Sequence, residues 1–127
     1  MENGKITKFT DLHVWQEGHK LVLMIYKYTD IFPDKERYGI IDQMRRAAVS
    51  VTSNVAEGFS RRSLKEKSRF YDMSQGSLVE LQNQLIISKD IGYLSEENFK
   101  VIAEQSVLTN KLLHGLLRST KDRKYEP

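Results

Sequence analysis

Apolar residues recur at three- and four-residue steps along most of this chain, the period of one helix face. The first such stretch runs from about 12 to 31. Leu12, Trp15, His19, Val22 and Tyr26 form a stripe, which Val14, Gly18, Leu21 and Ile25 widen. Phe32-Pro33 ends it, because a residue before proline avoids helical geometry. After a charged connector, Asp34 to Tyr38, the period resumes over about 39–60 in Ile40, Ile41, Met44, Ala48, Val51, Val55 and Phe59. It passes straight through Ser50, Thr52, Ser53 and Asn54, residues that otherwise prefer caps and turns. The run is therefore predicted to be helix, with a second and polar face.

Ser63 followed by Glu66 is a capping box and predicts a third helix over about 63–91, with Phe70, Ser74, Leu78, Leu81 and Leu85 inward. Gly92 stands where a left-handed cap would end it. Ser95, followed by Glu96 and Glu97, suits the N-terminus of a fourth helix over about 95–120. Phe99, Ile102, Ser106, Leu113 and Leu117, flanked by Ala103 and Leu116, carry that helix. Four helices with short links predict a single all-α domain over 1–127, an antiparallel up-down-up-down four-helix bundle. Trp15 is expected in or beside the core, and the ends, 1–8 and 121–127, are expected to be flexible.

Composition supports helices: glycine is scarce, and Pro33 and Pro127 are the only prolines. The chain has no cysteine, so neither a disulfide frame nor a thiolate zinc site is available. The first ten residues are polar and no apolar run reaches membrane-spanning length, so a soluble, cytoplasmic protein without membrane contact is expected.

Charge is unevenly placed. Between 61 and 69, Arg61, Arg62, Lys65, Lys67 and Arg69 face Glu66 alone, a net of +4. Between 118 and 124, Arg118, Lys121, Arg123 and Lys124 face Asp122 alone, a net of +3. The intervening stretch is net negative. In an up-down bundle both clusters, with Lys5 and Lys8, fall at one end, so a basic pole is predicted.

The second helix has a further line of residues, Gln43, Ala47, Ser50, Asn54, Glu57 and Arg61, about 100° from its core stripe. Small residues along a line permit close helix approach, and Gly76-Ser77 on the third helix offers another small patch. The line is either the solvated face of a monomer or, alternatively, an oligomer contact surface or a shared polar lumen. Asp42 precedes Arg46 by four residues, in the acid-first order that favours an intrahelical pair. Arg45 points elsewhere, towards a neighbouring helix or subunit.

Three segments, FTDLHVWQEGHKLVLMIYKYT, FPDKERYGIIDQMRRAAVSVTSNVAEG and GSLVELQNQL, resemble the four-helix-bundle family of 23S ribosomal RNA intervening-sequence proteins. The likeness spans about Phe9 to Leu117. Its most specific part follows FP-x-x-E-x-[YF]-G-[LI]-x-x-Q-x-RRAA-x-S-[IV]-x-[SA]-N-[IV]-AEG. Phe32, Pro33, Glu36, Tyr38, Gly39 and Gln43 fit it, as do Arg45 to Ala48, Ser50, Val51 and Ser53 to Gly58. Gly18 departs from the alanine usual there, and glycine is expected to weaken the first helix slightly. The resemblance implies an antiparallel bundle that assembles into a ring-like homopentamer, with Arg45, Ser50, Asn54 and Glu57 at or near subunit contacts. Related proteins are encoded within insertions in bacterial large-subunit ribosomal RNA genes. Accessory proteins of diversity-generating retroelements are similar, and are implicated in binding nucleic acid and a reverse transcriptase.

Catalysis is not expected. His13 and His19 are six apart, off the spacing of a helical metal pair, and His114 is remote. No glycine-rich phosphate loop and no E-x-x-H pair occur, so neither a metal nor another cofactor is expected. The basic pole instead suits RNA or DNA backbone: Arg61, Arg62, Lys65, Lys67, Arg69, Arg118, Lys121, Arg123 and Lys124 can contact phosphates without reading sequence. Tyr71, beside the first cluster, is placed either to stack a base or to form the rim of the core, and Tyr125 lies in the tail. The alternative is a protein-interaction ring whose basic surface docks an acidic protein partner such as a reverse transcriptase.

Overall fold

The computed structural model describes residues 4–123 and folds them into four α-helices, with no strand among the described residues. These are α1 (His13–Thr29), α2 (Ile40–Ser60), α3 (Leu64–Asp90) and α4 (Glu96–Arg123), with short 3-10 turns at Phe9–Asp11 and Asp34–Glu36. The fold is all-α. The Ser63 hydroxyl accepts the Glu66 N–H at 3.1 Å, and the Ser95 hydroxyl accepts that of Asn98 at 3.1 Å, so both expected N-caps form. Gly92 has φ of +88°, the left-handed geometry expected of it.

Two helix ends differ from the periodicity. α1 stops at Thr29, short of Ile31, because the chain must turn there to bury Phe32. α4 continues to Arg123, so residues 121–123, expected in a flexible end, are helical. Lys124 and Tyr125 lie outside the described residues.

Each helix packs against two others: α1 and α3 both touch α2 and α4, while α1–α3 and α2–α4 are diagonal. This arrangement corrects the expected face of α1. Its buried line is Val14, Gly18, Leu21, Ile25 and Thr29, whereas His19 and Tyr26 are exposed and Trp15 and Val22 are half-buried. The periodic stripe was wide enough for two centres. Contact with two neighbouring helices selects the line between them. Trp15 packs against the core, with Phe9 edge-on to it at 5.5 Å and His19 stacked on it at 4.8 Å.

Gly18 has a positive reason for its place. A Cβ there would stand 3.0 Å from Thr52 Cγ2 on α2 and 3.7 Å from Thr109 Cγ2 on α4. Glycine lets three helices meet, so its cost in helix propensity is set against closer packing.

The α2–α3 seam is lined by small residues and hydroxyls. Ser74 donates to the Val51 carbonyl at 2.7 Å, Ser50 and Ser77 share a hydrogen bond at 2.8 Å, and Ser88 bonds Met44 Sδ at 3.4 Å. Elsewhere buried Thr29, Thr109 and Thr120 donate to carbonyls four residues back in their own helices. These hydroxyls are satisfied locally, so they can stand in a core without isolated polar atoms.

Candidate nucleic-acid interface

The α2–α3 junction is a tight reversal. α2 ends at Ser60, Arg61 turns extended, and Ser63 caps α3. Gly58 makes the corner possible: a Cβ there would stand 2.6 Å from Tyr71 Cε1 and 3.1 Å from Phe70 Cβ. The ring of Tyr71 thus lies directly on the α2 backbone. Lys67 Nζ reaches back to donate to the Phe59 carbonyl at 2.7 Å and the Gly58 carbonyl at 3.4 Å. It adds a second cap to the carbonyl end of α2, where the Arg61 N–H already bonds the Gly58 carbonyl at 3.2 Å and a cation also suits the helix dipole.

The basic residues divide into those engaged within the chain and those free of ion pairs. Arg61 pairs with Glu57 at 3.0 Å and lies over Phe70 at 4.6 Å. Arg69 lies over the same ring at 5.2 Å, and Lys121 pairs with Asp72 at 3.6 Å. Arg62, Lys65 and Arg118 are exposed and form no ion pair among the described residues. Lys124 lies outside the described residues.

The two clusters, far apart in sequence, do meet. Lys67 and Arg123 line one cavity together with Ile6 of the N-terminal segment. Lys65, Arg69 and Lys121 line an adjacent groove with Glu66 and Asp72. Burial, and then the Arg123 charge, hold the Lys67 ammonium below its ordinary pKa. Arg118 faces solvent on α4. Tyr71 is only 2% exposed, so it cannot stack an incoming base, and burial pushes its phenol up to about 12. It is part of the core.

The polar face of α2 is partly consumed inside the chain. Ser50 bonds Ser77 of α3, and Asn54 donates to both the carbonyl and the hydroxyl of Ser50, at 2.9 and 3.0 Å. Ala47, on the same line, is buried. Gln43 and Glu57 remain exposed, Glu57 in its pair with Arg61. Arg46 pairs with Asp42 at 2.9 Å, as its spacing predicted. Arg45 leans the other way, onto the end of α1, donating to Thr29 Oγ1 at 3.0 Å and the Tyr26 carbonyl at 3.4 Å above the Tyr26 ring.

Sequence reasoning missed two positioning groups. Gly58 was seen as one letter of a motif and not as the seat of Tyr71. Nor was Tyr93 singled out; its hydroxyl donates to Glu36 at 2.7 Å and its ring packs on Phe32 at 5.5 Å. The glutamate three residues before Gly39 was the available signal, since a Cβ at Gly39 would meet Glu36 Oε1 at 2.6 Å. Among the described residues no group of three or more His, Cys, Asp or Glu could hold a metal ion. No described helix is long and apolar enough to cross a membrane.

Residues 10–115 match the sequence profile of the 23S rRNA-intervening sequence proteins. The chain belongs to that family. In this chain the matched stretch from Phe32 to Gly58 includes Glu36, which accepts the Tyr93 hydroxyl, the Arg45 anchor and the Gly58 corner. A solved structure of similar fold is a protein of unknown function from the S23 ribosomal protein family of Bacteroides thetaiotaomicron VPI-5482, at 1.70 Å resolution. It is 18% identical, with a TM-score of 0.76, over 83% of this chain and 95% of that one. No curated protein matches the chain.

Proposed function

We propose that this member of the intervening-sequence family is a non-catalytic, oligomeric protein of the cytoplasm that binds RNA or DNA backbone through its basic pole. The observation that carries this is the meeting of two cationic clusters separated by some fifty residues: Lys67 with Arg123, and Lys65 and Arg69 with Lys121. Cations from separate segments gathered on one surface raise the local potential, and phosphates are the most abundant polyanionic partners that such a surface meets. An antiparallel up-down-up-down course of the helices supports the shared pole. It is favoured by the α2–α3 pairings, in which Met44, Ser50, Val51 and Gly58 lie against Ser88, Ser77, Ser74 and Tyr71 respectively.

The family resemblance carries the assembly part of the proposal, a homopentamer with the Ser50–Asn54–Glu57 line and Arg45 near its contacts. Light scattering that gives a monomer at micromolar concentration refutes it. Nucleic-acid binding is tested with Arg62→Glu, Lys65→Glu and Arg118→Glu combined, since these exposed cations form no ion pair among the described residues. Anisotropy titration of structured RNA and duplex DNA at two salt concentrations should show affinity falling steeply with salt and weakening for all sequences in the variant. Unchanged binding at low salt defeats the proposal.

A protein partner then becomes the leading reading. One observation favours it: away from the basic clusters, Tyr38, Ile31 and Ile91 are 89%, 70% and 54% exposed around the α1–α2 link and the end of α3.

A further inference from the structure

A cavity of about 450 Å³ opens between the N-terminal segment, the end of α2, the start of α3 and the end of α4. Ile6, Leu12, Phe59 and Leu116 give it apolar walls. Its polar lining is Lys67, Arg123, Tyr71 and Thr120, with no carboxylate among them.

The hydrogen-bonding capacity of that lining is one-sided. Thr120 donates its proton to the Leu116 carbonyl at 2.8 Å. Lys67 gives protons to two α2 carbonyls, and its third N–H meets no acceptor among the described residues. Tyr71 is buried but lines the cavity, and its hydroxyl bonds no other described residue. The ring cannot withdraw, because Gly58 seats it on the backbone of α2. The Arg123 charge acts on both Lys67 and Tyr71, so the three groups share one electrostatic environment. An ammonium, a guanidinium and a phenol thus surround the space with donors and two positive charges.

Two like charges beside a half-buried space repel, and the Lys67 ammonium is held below its ordinary pKa first by burial and then by the Arg123 charge. An anion between the two cations offsets that repulsion and can accept a hydrogen bond from the Tyr71 hydroxyl. The apolar walls add a second requirement, and a sugar-phosphate backbone does not meet it. We infer that this cavity binds a small organic anion: a carboxylate on a compact alkyl or aryl body, its head against Tyr71, Lys67 and Arg123 and its body against Phe59 and Leu116. A volume of this size lies within the ordinary range for small-molecule sites. The site shares Lys67 and Arg123 with the proposed nucleic-acid surface, whereas Tyr71, only 2% exposed, belongs to the cavity alone.

The test is calorimetric titration of the full chain with octanoate, octan-1-ol and inorganic phosphate at moderate salt. Octanoate should bind saturably, once per chain, and octanol and phosphate at least about tenfold more weakly, a difference of about 1.4 kcal/mol. Tyr71→Phe should weaken octanoate about five- to tenfold, and Arg123→Gln at least as much. Without ligand, Tyr71→Phe should melt no lower than the parent, because its hydroxyl makes no bond to lose. It should leave RNA affinity unchanged, which separates failure here from failure of the nucleic-acid proposal. Absence of saturable heat at millimolar octanoate overturns the inference. So does octanol or phosphate binding as tightly as octanoate, or octanoate binding the two variants as tightly as the parent.

Discussion

Two tyrosines at the two ends of α3 show how differently the ends of this molecule use the same side chain. Tyr93, just past the helix, donates its hydroxyl to Glu36 and packs its ring on Phe32. It thereby ties the α3–α4 link to the α1–α2 link. Tyr71, in the second turn of α3 and some 30 Å away along a helix rising 1.5 Å per residue, is more deeply buried and yet bonds no described residue. Both phenols are pushed up in pKa, Tyr93 first by its hydrogen bond to Glu36 and Tyr71 first by burial. One end spends its polar groups on holding chain links together. The other leaves donors unspent beside two cations.

The contrast can be broken most severely at two glycines, Gly58 under the Tyr71 ring and Gly39 beside the Glu36 carboxylate that Tyr93 bonds. Gly58→Ala places a methyl 2.6 Å from the Tyr71 ring, a rigid and buried group, and should cost about 2 kcal/mol by urea unfolding. Gly39→Ala meets the Glu36 carboxylate at the same distance, but that group is the end of a flexible chain. Its cost should be smaller than that of Gly58→Ala, arising mostly from displacing the Tyr93 bond.

Tyr93→Phe should likewise destabilise the fold, by less than Gly58→Ala, through loss of its hydrogen bond to a charged acceptor. Tyr71→Phe should lose nothing near neutral pH. At high pH the order changes. A phenol whose folded pKa lies above its unfolded value of about 10 favours the folded state fully below pH 10, and that contribution disappears as pH rises towards 12. Parent protein should therefore lose stability between pH 10 and 12 more steeply than Tyr71→Phe, as followed by circular dichroism.

Among the glycines, the smallest effect is expected at Gly18. Alanine gains up to about 1 kcal/mol of helix propensity, but Thr52 is held close by its bond to the Val49 carbonyl at 3.0 Å. The net change should stay within about 0.5 kcal/mol. Adding Thr52→Ser removes the opposing methyl, so the double variant should recover most of the propensity gain. If Gly18→Ala alone is strongly stabilising, the close approach of α1 to α2 is not constraining.

Helix number, caps and the Arg46–Asp42 pair were legible along the chain because each depends on residues within one or two turns of each other. The basic clusters were legible as clusters for the same reason. Which side of α1 is buried was not, since Val22 and Leu21 satisfy the same period and only the positions of α2 and α4 separate them. The polar run of α2 was correctly placed in a helix. That Ser50 bonds Ser77 across the α2–α3 seam required the two helices to be packed.

Periodicity, capping and charge order are local properties, and from them follow four helices, their approximate limits and the presence of two cationic segments. Partnership across the bundle is not local. Tyr71 and Tyr93 are both tyrosines close to an end of α3, and nothing within a few positions tells the unpartnered phenol from the paired one. Tertiary packing decided it, by seating one ring on Gly58 between Lys67 and Arg123 and bringing Glu36, fifty-seven residues away, within 2.7 Å of the other. A hydrogen bond needs its two atoms in place to a few tenths of an ångström, and only the folded chain sets distances that finely.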